Sequence, residues 1–137
     1  MAKFTQDMKD IMEKSKIYII ATASRDGKPN GVPAGAKIIS DDEIMIVDYL
    51  MNKTRENIAE NPVVSITCWD LEVHYGYQFK GEARVETSGE LFDKAVELRK
   101  ARSNDELELT VKAVVVVKVA EAYYIGIKDS RQNLFPA

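Results

Sequence analysis

The apolar positions of this chain repeat with two different periods, and the switches between them divide it into elements. Phe4, Met8, Ile11 and Met12 fall on one helical face with Lys9, Asp10 and Glu13 off it, which predicts a short amphipathic helix over residues 4–14, plugging one end of a sheet. Residues 16–24, KIYIIATAS, are rich in strand formers and stop at Arg25-Asp26-Gly27-Lys28-Pro29, where Asp-Gly signals a hairpin. The partner strand is residues 30–40, and a third strand, 43–49, follows the Asp41-Asp42 turn. A helical pattern over 53–60 ends at Asn61-Pro62, because a proline cannot continue a helix but can open a strand, here 63–69. Residues 75–85 alternate cleanly, with Tyr75, Tyr77, Phe79, Ala83 and Val85 on one face and Gln78, Lys80, Glu82 and Arg84 on the other. Thr87 and Glu90 have capping-box spacing ahead of a helix over 88–102. A long strand region over 107–119 resumes at 123–127 before the polar tail KDSRQNLFPA.

Six or seven strands with turn-length links and short accessory helices predict a mainly β fold, an antiparallel barrel. With 137 residues and no internal repeat or linker, a single domain is expected.

Two stretches depart from what their elements need. The helix at 53–60 opens with Lys53 and Arg55, although a helix N-terminus already carries partial positive charge and normally attracts acids. An external anion, above all a phosphate, would resolve the conflict: Lys53, Thr54 and Arg55, with Asn52 as N-cap, bring two cations, a hydroxyl and free N–H groups to one point. The alternative is a solvated pair bridging to Glu56 or Glu60. No Walker A spacing is present. The other stretch, GVPAGAKII, carries two glycines and a proline within five residues; it would let something flat lie against the backbone, or it is an edge strand or bulge.

Charge and composition narrow the field. Twenty-two acidic against nineteen basic residues leave a net charge of -3 and no basic field for nucleic acid. One cysteine, Cys68, permits no intrachain disulfide and suits a reducing cytoplasm; it reads as a small buried hydrophobe. The N-terminus lacks a signal-peptide core and the apolar run 114–117 is too short to span a bilayer, so a cytoplasmic protein is expected. His74, the only histidine, is expected in a turn, and no zinc spacing or G-x-S-x-G elbow accompanies it, so neither a metal nor a catalytic side chain is assigned. Tyr49, Trp69, Tyr75, Tyr77 and Phe79 read first as packing residues and second as stacking partners for a ligand. The tail is either a free end or crosses to a partner through Leu134 and Phe135.

The order ATAS-x-DG-x-PN, P-x-G-x-K, DYLMNKTREN, ENPVVSI and GYQFKGEARV before a helix, over residues 16–127, resembles the FMN-binding split-barrel proteins of the pyridoxamine 5'-phosphate oxidase-like superfamily. The N-K-T-x-x-N block is the most specific element, and the small FMN-binding and flavoredoxin-like members are the most similar. The resemblance implies a split β-barrel with non-covalent FMN, its phosphate held by Lys53 and Thr54 with Asn52 close by. It places Val32, Pro33, Ala34, Gly35, Ala36 and Lys37 beneath the isoalloxazine and ribityl chain, and Asp48 and Tyr49 along them. It further implies a homodimer with FMN at the interface, where Trp69, Tyr77 or the Leu134-Phe135 tail contacts the other subunit's flavin.

The true oxidase carries an Arg-x-His pair near its C-terminus, and after Tyr124 this chain has no histidine, so oxidation of pyridoxamine phosphate is not expected. Haem-degrading relatives depend on an added C-terminal region that this sequence does not show. The expected function is an FMN oxidoreductase or electron-transfer protein working with a small-molecule or protein donor and acceptor. The alternatives are an F420-dependent reductase, with Lys37 and Arg84 as further cations, and a non-catalytic flavin or phospholigand carrier or sensor. A barrel binding single-stranded nucleic acid is disfavoured by the net charge.

Overall fold

A computed structural model describes residues 2–101, 110–128 and 131–135. In chain order the elements are α1 (Gln6–Ser15), β1 (Tyr18–Ala23), β2 (Pro29–Ala34), β3 (Ala36–Ile38), β4 (Glu43–Asp48), α2 (Lys53–Glu60), β5 (Val63–Asp70), β6 (Tyr75–Glu86), α3 (Glu90–Lys100) and β7 (Ala113–Ile125). Every strand pair is antiparallel, and the seven strands form one sheet in the order β2-β1-β5-β6-β7-β4-β3. The two edge strands are neighbours in sequence, since β2 ends at Ala34 and β3 begins at Ala36. A single residue, Gly35, therefore bridges opposite edges, which is possible only if the sheet curls until those edges meet. The result is a seven-stranded antiparallel half-barrel with three helices, as the strand count and alternation predicted.

The single strand expected over 30–40 is thereby divided. Residues 29–34 pair with β1 and residues 36–38 pair with β4, because one strand cannot follow both edges without turning between them. Pro33, which lacks an N–H for a ladder, sits on an edge strand. Asp26-Gly27 makes the β1–β2 turn, with Gly27 at φ 89. The two segments expected at 107–119 and 123–127 are one strand beginning at Ala113; Gly81 pairs with Val119 and Lys80 with Glu121, so Ala120 is the extra residue of a bulge. The predicted residues 107–109 and the exit loop 103–106 lie outside the described residues.

Ile20, Ile44, Ile46, Ile66, Phe79, Val115 and Val117 point inward and are fully buried, and Phe4, Met8, Ile11 and Met12 of the α1 region close the interior, as the helical face predicted. α1 starts at Thr5, whose Oγ1 accepts the Met8 N–H at 3.2 Å. It is clasped from the sheet by Tyr75 and Tyr77, whose hydroxyls both donate to Asp7; burial, with that bond, pushes the Tyr77 phenol above its ordinary pKa. The apolar run at 114–117 is buried on both faces because Val114, with Met45, lies beneath Ala95 of α3.

The Thr87–Glu90 capping box is not formed. β6 continues to Glu86, the chain reverses at Gly89 (φ 99), and Glu90 falls in the first turn of α3. The tail also departs from one expectation. Leu134 N–H donates to the Ala122 carbonyl at 2.7 Å, Asn133 Oδ1 accepts from Ala122 and Phe135 N–H, and the Phe135 ring lies 5.4 Å from Phe4. Phe135 and Tyr77 are thus buried in their own chain's core, and the tail is held there rather than running as a free end. Among the described residues no helix is long and apolar enough to cross a membrane.

Gly76 tests how closely β5 and β6 approach. A β-carbon there would stand 1.8 Å from the Cys68 carbonyl oxygen, a backbone atom that cannot give way alone. Gly76→Ala is expected to cost about 3 kcal/mol in urea unfolding; a loss below about 0.5 kcal/mol would contradict this packing.

Candidate functional site

β4 ends in Asp48, which is fully buried. Its Oδ1 accepts the Met51 N–H at 2.8 Å and its Oδ2 accepts from Arg55 Nη1 at 2.7 Å. The cation conflict at the start of α2 is therefore half resolved inside the chain: Arg55 is neutralised by Asp48 and is no mere surface neighbour. Among the described residues Lys53 makes one exposed ion pair, to Glu56 at 3.5 Å, as the solvated-pair alternative foresaw. Asn52 occupies the N-cap position but its side chain makes no capping bond, so no side-chain cap covers the first-turn N–H groups of α2.

Thr54, the second residue of α2, is 1% exposed, and its Oγ1 accepts a bond from Asn30 Nδ2 at 3.1 Å. A hydroxyl that accepts in this way keeps its own proton for another acceptor. One turn on, Asn57 Nδ2 donates to Thr22 Oγ1 at 3.0 Å, which ties α2 to β1, while the buried Asn57 Oδ1 has no hydrogen-bond partner among the described residues. The β1–β2 turn also comes near: Asp26 has its carboxyl pKa lowered chiefly by the Ser24 hydroxyl, with a smaller contribution from Lys53.

Of these groups, Asn30, Asn52, Lys53 and Thr54 line a cavity of about 420 Å³. Of the residues singled out in the sequence, Val32, Pro33, Ala34 and Gly35 line one side and Tyr49, Asn52, Lys53 and Thr54 the other. Ala36 and Lys37 instead face a neighbouring cavity of about 870 Å³ that reaches Lys9 and Glu13 of α1 and Ala95 and Leu98 of α3. Gly35, Val47 and Tyr49 border both, so the spaces adjoin. Asp48 lies behind the wall, and Trp69, on β5, lines neither cavity. Asn30, Val47, Leu50 and Met51 complete the first cavity and were missed. Asn30 had a signal, a lone amide opening the small-residue strand, whereas the apolar three were indistinguishable from packing residues.

Gly35 differs from the glycines of the sheet interior. A β-carbon on it would meet nothing within 4 Å, so its smallness is not required by the packing of this chain. It leaves open space at the place where the two cavities join.

Other candidate chemistry falls away. Cys68 is 1% exposed and burial pushes its thiol up to about 11, so it is not a thiolate at neutral pH. His74 lies in the β5–β6 turn at φ 58 and borders neither cavity. Among the described residues no group of three or more His, Cys, Asp or Glu side chains is placed to hold a metal ion.

The two cations of α2 should differ sharply on replacement. Arg55→Met leaves a buried carboxylate unpaired and is expected to cost about 3 kcal/mol, whereas Lys53→Met should stay within about 0.5 kcal/mol, both read from urea unfolding. Equal effects would contradict the assignment of Arg55 as the structural cation.

Comparison with known proteins agrees with this architecture. The family model for pyridoxamine 5'-phosphate oxidase matches residues 4–126. An uncharacterized protein of Methanocaldococcus jannaschii is 40% identical over 129 residues, which cover 90% of this chain and 81% of that protein. HupZ of Group A Streptococcus has a similar structure, with a TM-score of 0.80 at 25% identity over 94% of this chain and 99% of that one. An FMN-binding protein from Syntrophomonas wolfei has a TM-score of 0.74 at 17% identity, over 89% and 86% of the two chains, and shares the fold. With the family model spanning nearly its whole length and a relative this similar, the chain belongs to the pyridoxamine 5'-phosphate oxidase family.

Proposed function

We propose that this protein is a flavoprotein that holds FMN non-covalently and passes electrons between a donor and an acceptor. One observation carries the reading: an uncapped helix N-terminus, Lys53 and a buried Thr54 hydroxyl set by Asn30 line the same cavity as Gly35, beside which there is open space. The donor set suits a phosphate, because N–H groups, a hydroxyl proton and a cation all favour an anion. The space beside Gly35 suits a flat ring, and about 420 Å³ lies within the ~300–1,000 Å³ usual for cofactor sites. The S. wolfei protein, described as FMN-binding, supports the same reading.

In this reading Lys53 and the first turn of α2 bind the phosphate, and Thr54 donates a hydrogen bond to it. Val32, Pro33 and Tyr49 orient the ring and exclude water from its faces. FMN, when bound, supplies acceptance and release of electrons or hydride at its ring. No side-chain acid or base is needed, and among the described residues Lys53 is the only charged one of the cavity wall. The adjoining 870 Å³ cavity offers a reactant access to the ring edge.

The protein works as a homodimer in this proposal, supported by exposed apolar side chains on the outer face of β1 and β5, namely Ile19, Val63 and Trp69, with Ile17 just ahead of β1. A second reading is favoured by Lys9, Lys16 and Lys37 around the larger cavity: a deazaflavin F420 would extend its anionic tail toward them.

Purified protein should be yellow, and mass spectrometry of the extracted chromophore separates FMN from F420. Lys53→Ala/Thr54→Ala should lose the chromophore; full retention would sink the phosphate assignment. Gly35→Leu should melt like the parent, since its side chain starts in open space, yet bind no flavin. Normal flavin content in that variant would place the ring elsewhere.

A further inference from the structure

Asp48 and Arg55 lie behind the cavity, and neither lines it. The carboxylate has both oxygens engaged, one by the Met51 N–H and one by Arg55, and the Asp48 backbone carbonyl accepts the Lys112 N–H at 2.9 Å. Three segments are tied at this point: the end of β4, the loop 49–52 and the first turn of α2. The loop supplies Tyr49, Leu50, Met51 and Asn52 to the cavity wall, and the turn supplies Lys53 and Thr54.

We propose that the Asp48–Arg55 pair is a positioning device that makes the site selective for a phosphorylated flavin over its unphosphorylated form. The proposal rests on the reading that the flavin phosphate sits at the start of α2. Two cations in the first turn of a helix are disfavoured by the helix dipole and by each other, and Glu56 answers only Lys53, loosely and at the surface, so Arg55 needs a further anion to hold the turn in place before a ligand arrives. Asp48 supplies that anion permanently. It also holds the Arg55 guanidinium through a charge-assisted bond, which keeps the guanidinium off the ligand and leaves the phosphate to Lys53, Thr54 and the backbone N–H groups. The pair therefore acts on the phosphate end of the ligand. A role confined to fold stability would affect phosphorylated and unphosphorylated flavins alike.

The test titrates flavin-free protein with FMN and with riboflavin, following quenching of flavin fluorescence, for the parent, Asp48→Asn and Asp48→Asn/Arg55→Met. Asp48→Asn keeps an oxygen for the Met51 N–H and removes the charge; the double variant leaves neither a buried carboxylate nor a free guanidinium, which keeps the test open if a single variant unfolds. Circular dichroism and thermal melts establish that the variants compared are folded. FMN binding should weaken about tenfold or more in both variants while riboflavin binding changes less than about threefold. Parallel losses for both ligands, unchanged FMN binding, or tighter FMN binding in Asp48→Asn through a released Arg55 would each overturn the proposal. A parent that does not prefer FMN to riboflavin would overturn the phosphate assignment itself and the pair's role with it; a parental preference that survives in the variants overturns the pair alone.

Discussion

A seven-stranded sheet whose two edge strands are consecutive in the chain has no flat solution. β2 and β3 are separated by Gly35 alone, yet they stand at opposite ends of the strand order, so the sheet must curl until its edges meet at that residue. Curling creates an interior, filled by Ile20, Ile44, Ile46, Ile66, Phe79, Val115 and Val117, with α1 over its open end. It also creates a seam. Along that seam the side chains are small and one of them is absent, so the cavities form where the sheet closes on itself and where the core has least to fill with.

The other side of the seam is set by electrostatics. α2 begins with two cations in the part of a helix least suited to them, and they are handled differently. Arg55 turns inward to a fully buried carboxylate; Lys53 remains in water with a loose contact to Glu56. An exposed pair contributes about 0–1 kcal/mol at most, while removing one partner of a buried pair costs several. Arg55 therefore belongs to the scaffold, and Lys53 is free to answer to a ligand. The Asn30–Thr54 bond in the cavity wall and the buried Thr22–Asn57 bond behind it fasten the same helix to β2 and β1, so polar contacts hold the two walls of the cavity together.

A shared fold does not carry a shared reaction, and the half-barrel supports several chemistries through what lines its seam. What this chain offers there is a cation, a hydroxyl, backbone N–H groups and an otherwise apolar wall, with a larger lysine-edged cavity alongside. Among the described residues the wall of the smaller cavity carries one charged side chain, Lys53, and no carboxylate, histidine or thiol. That distribution fits a protein whose cofactor performs the chemistry.

Where a signal is local, the sequence by itself determined the outcome. Helical spacing at 4–14 and 53–60, the Asp26-Gly27 turn, the stop at Asn61-Pro62 and the alternation through β6 depend on residues within a few positions of each other, and all appear as read. The small-residue run holding Val32, Pro33, Ala34 and Gly35 and the cation Lys53 beside Thr54 were legible as departures from what a strand or a helix start requires, Asn52 as the N-cap position and Tyr49 only through the family resemblance, and the fold brings all of them around one cavity. Tertiary structure decided the rest, because it depends on distances along the chain that no local pattern records. The break at Gly35 follows from two edges finding different partners, β1 and β4. The Thr87–Glu90 spacing is local but loses to the longer pairing of β6 with β7. Asn30 meets Thr54 across 24 positions, and Phe135 joins Phe4 from the other end of the chain. Asp48 and Arg55 are only seven apart, yet they stand on a strand and a helix separated by a turn, and only the folded geometry shows that the anion demanded by that helix is already present in the chain.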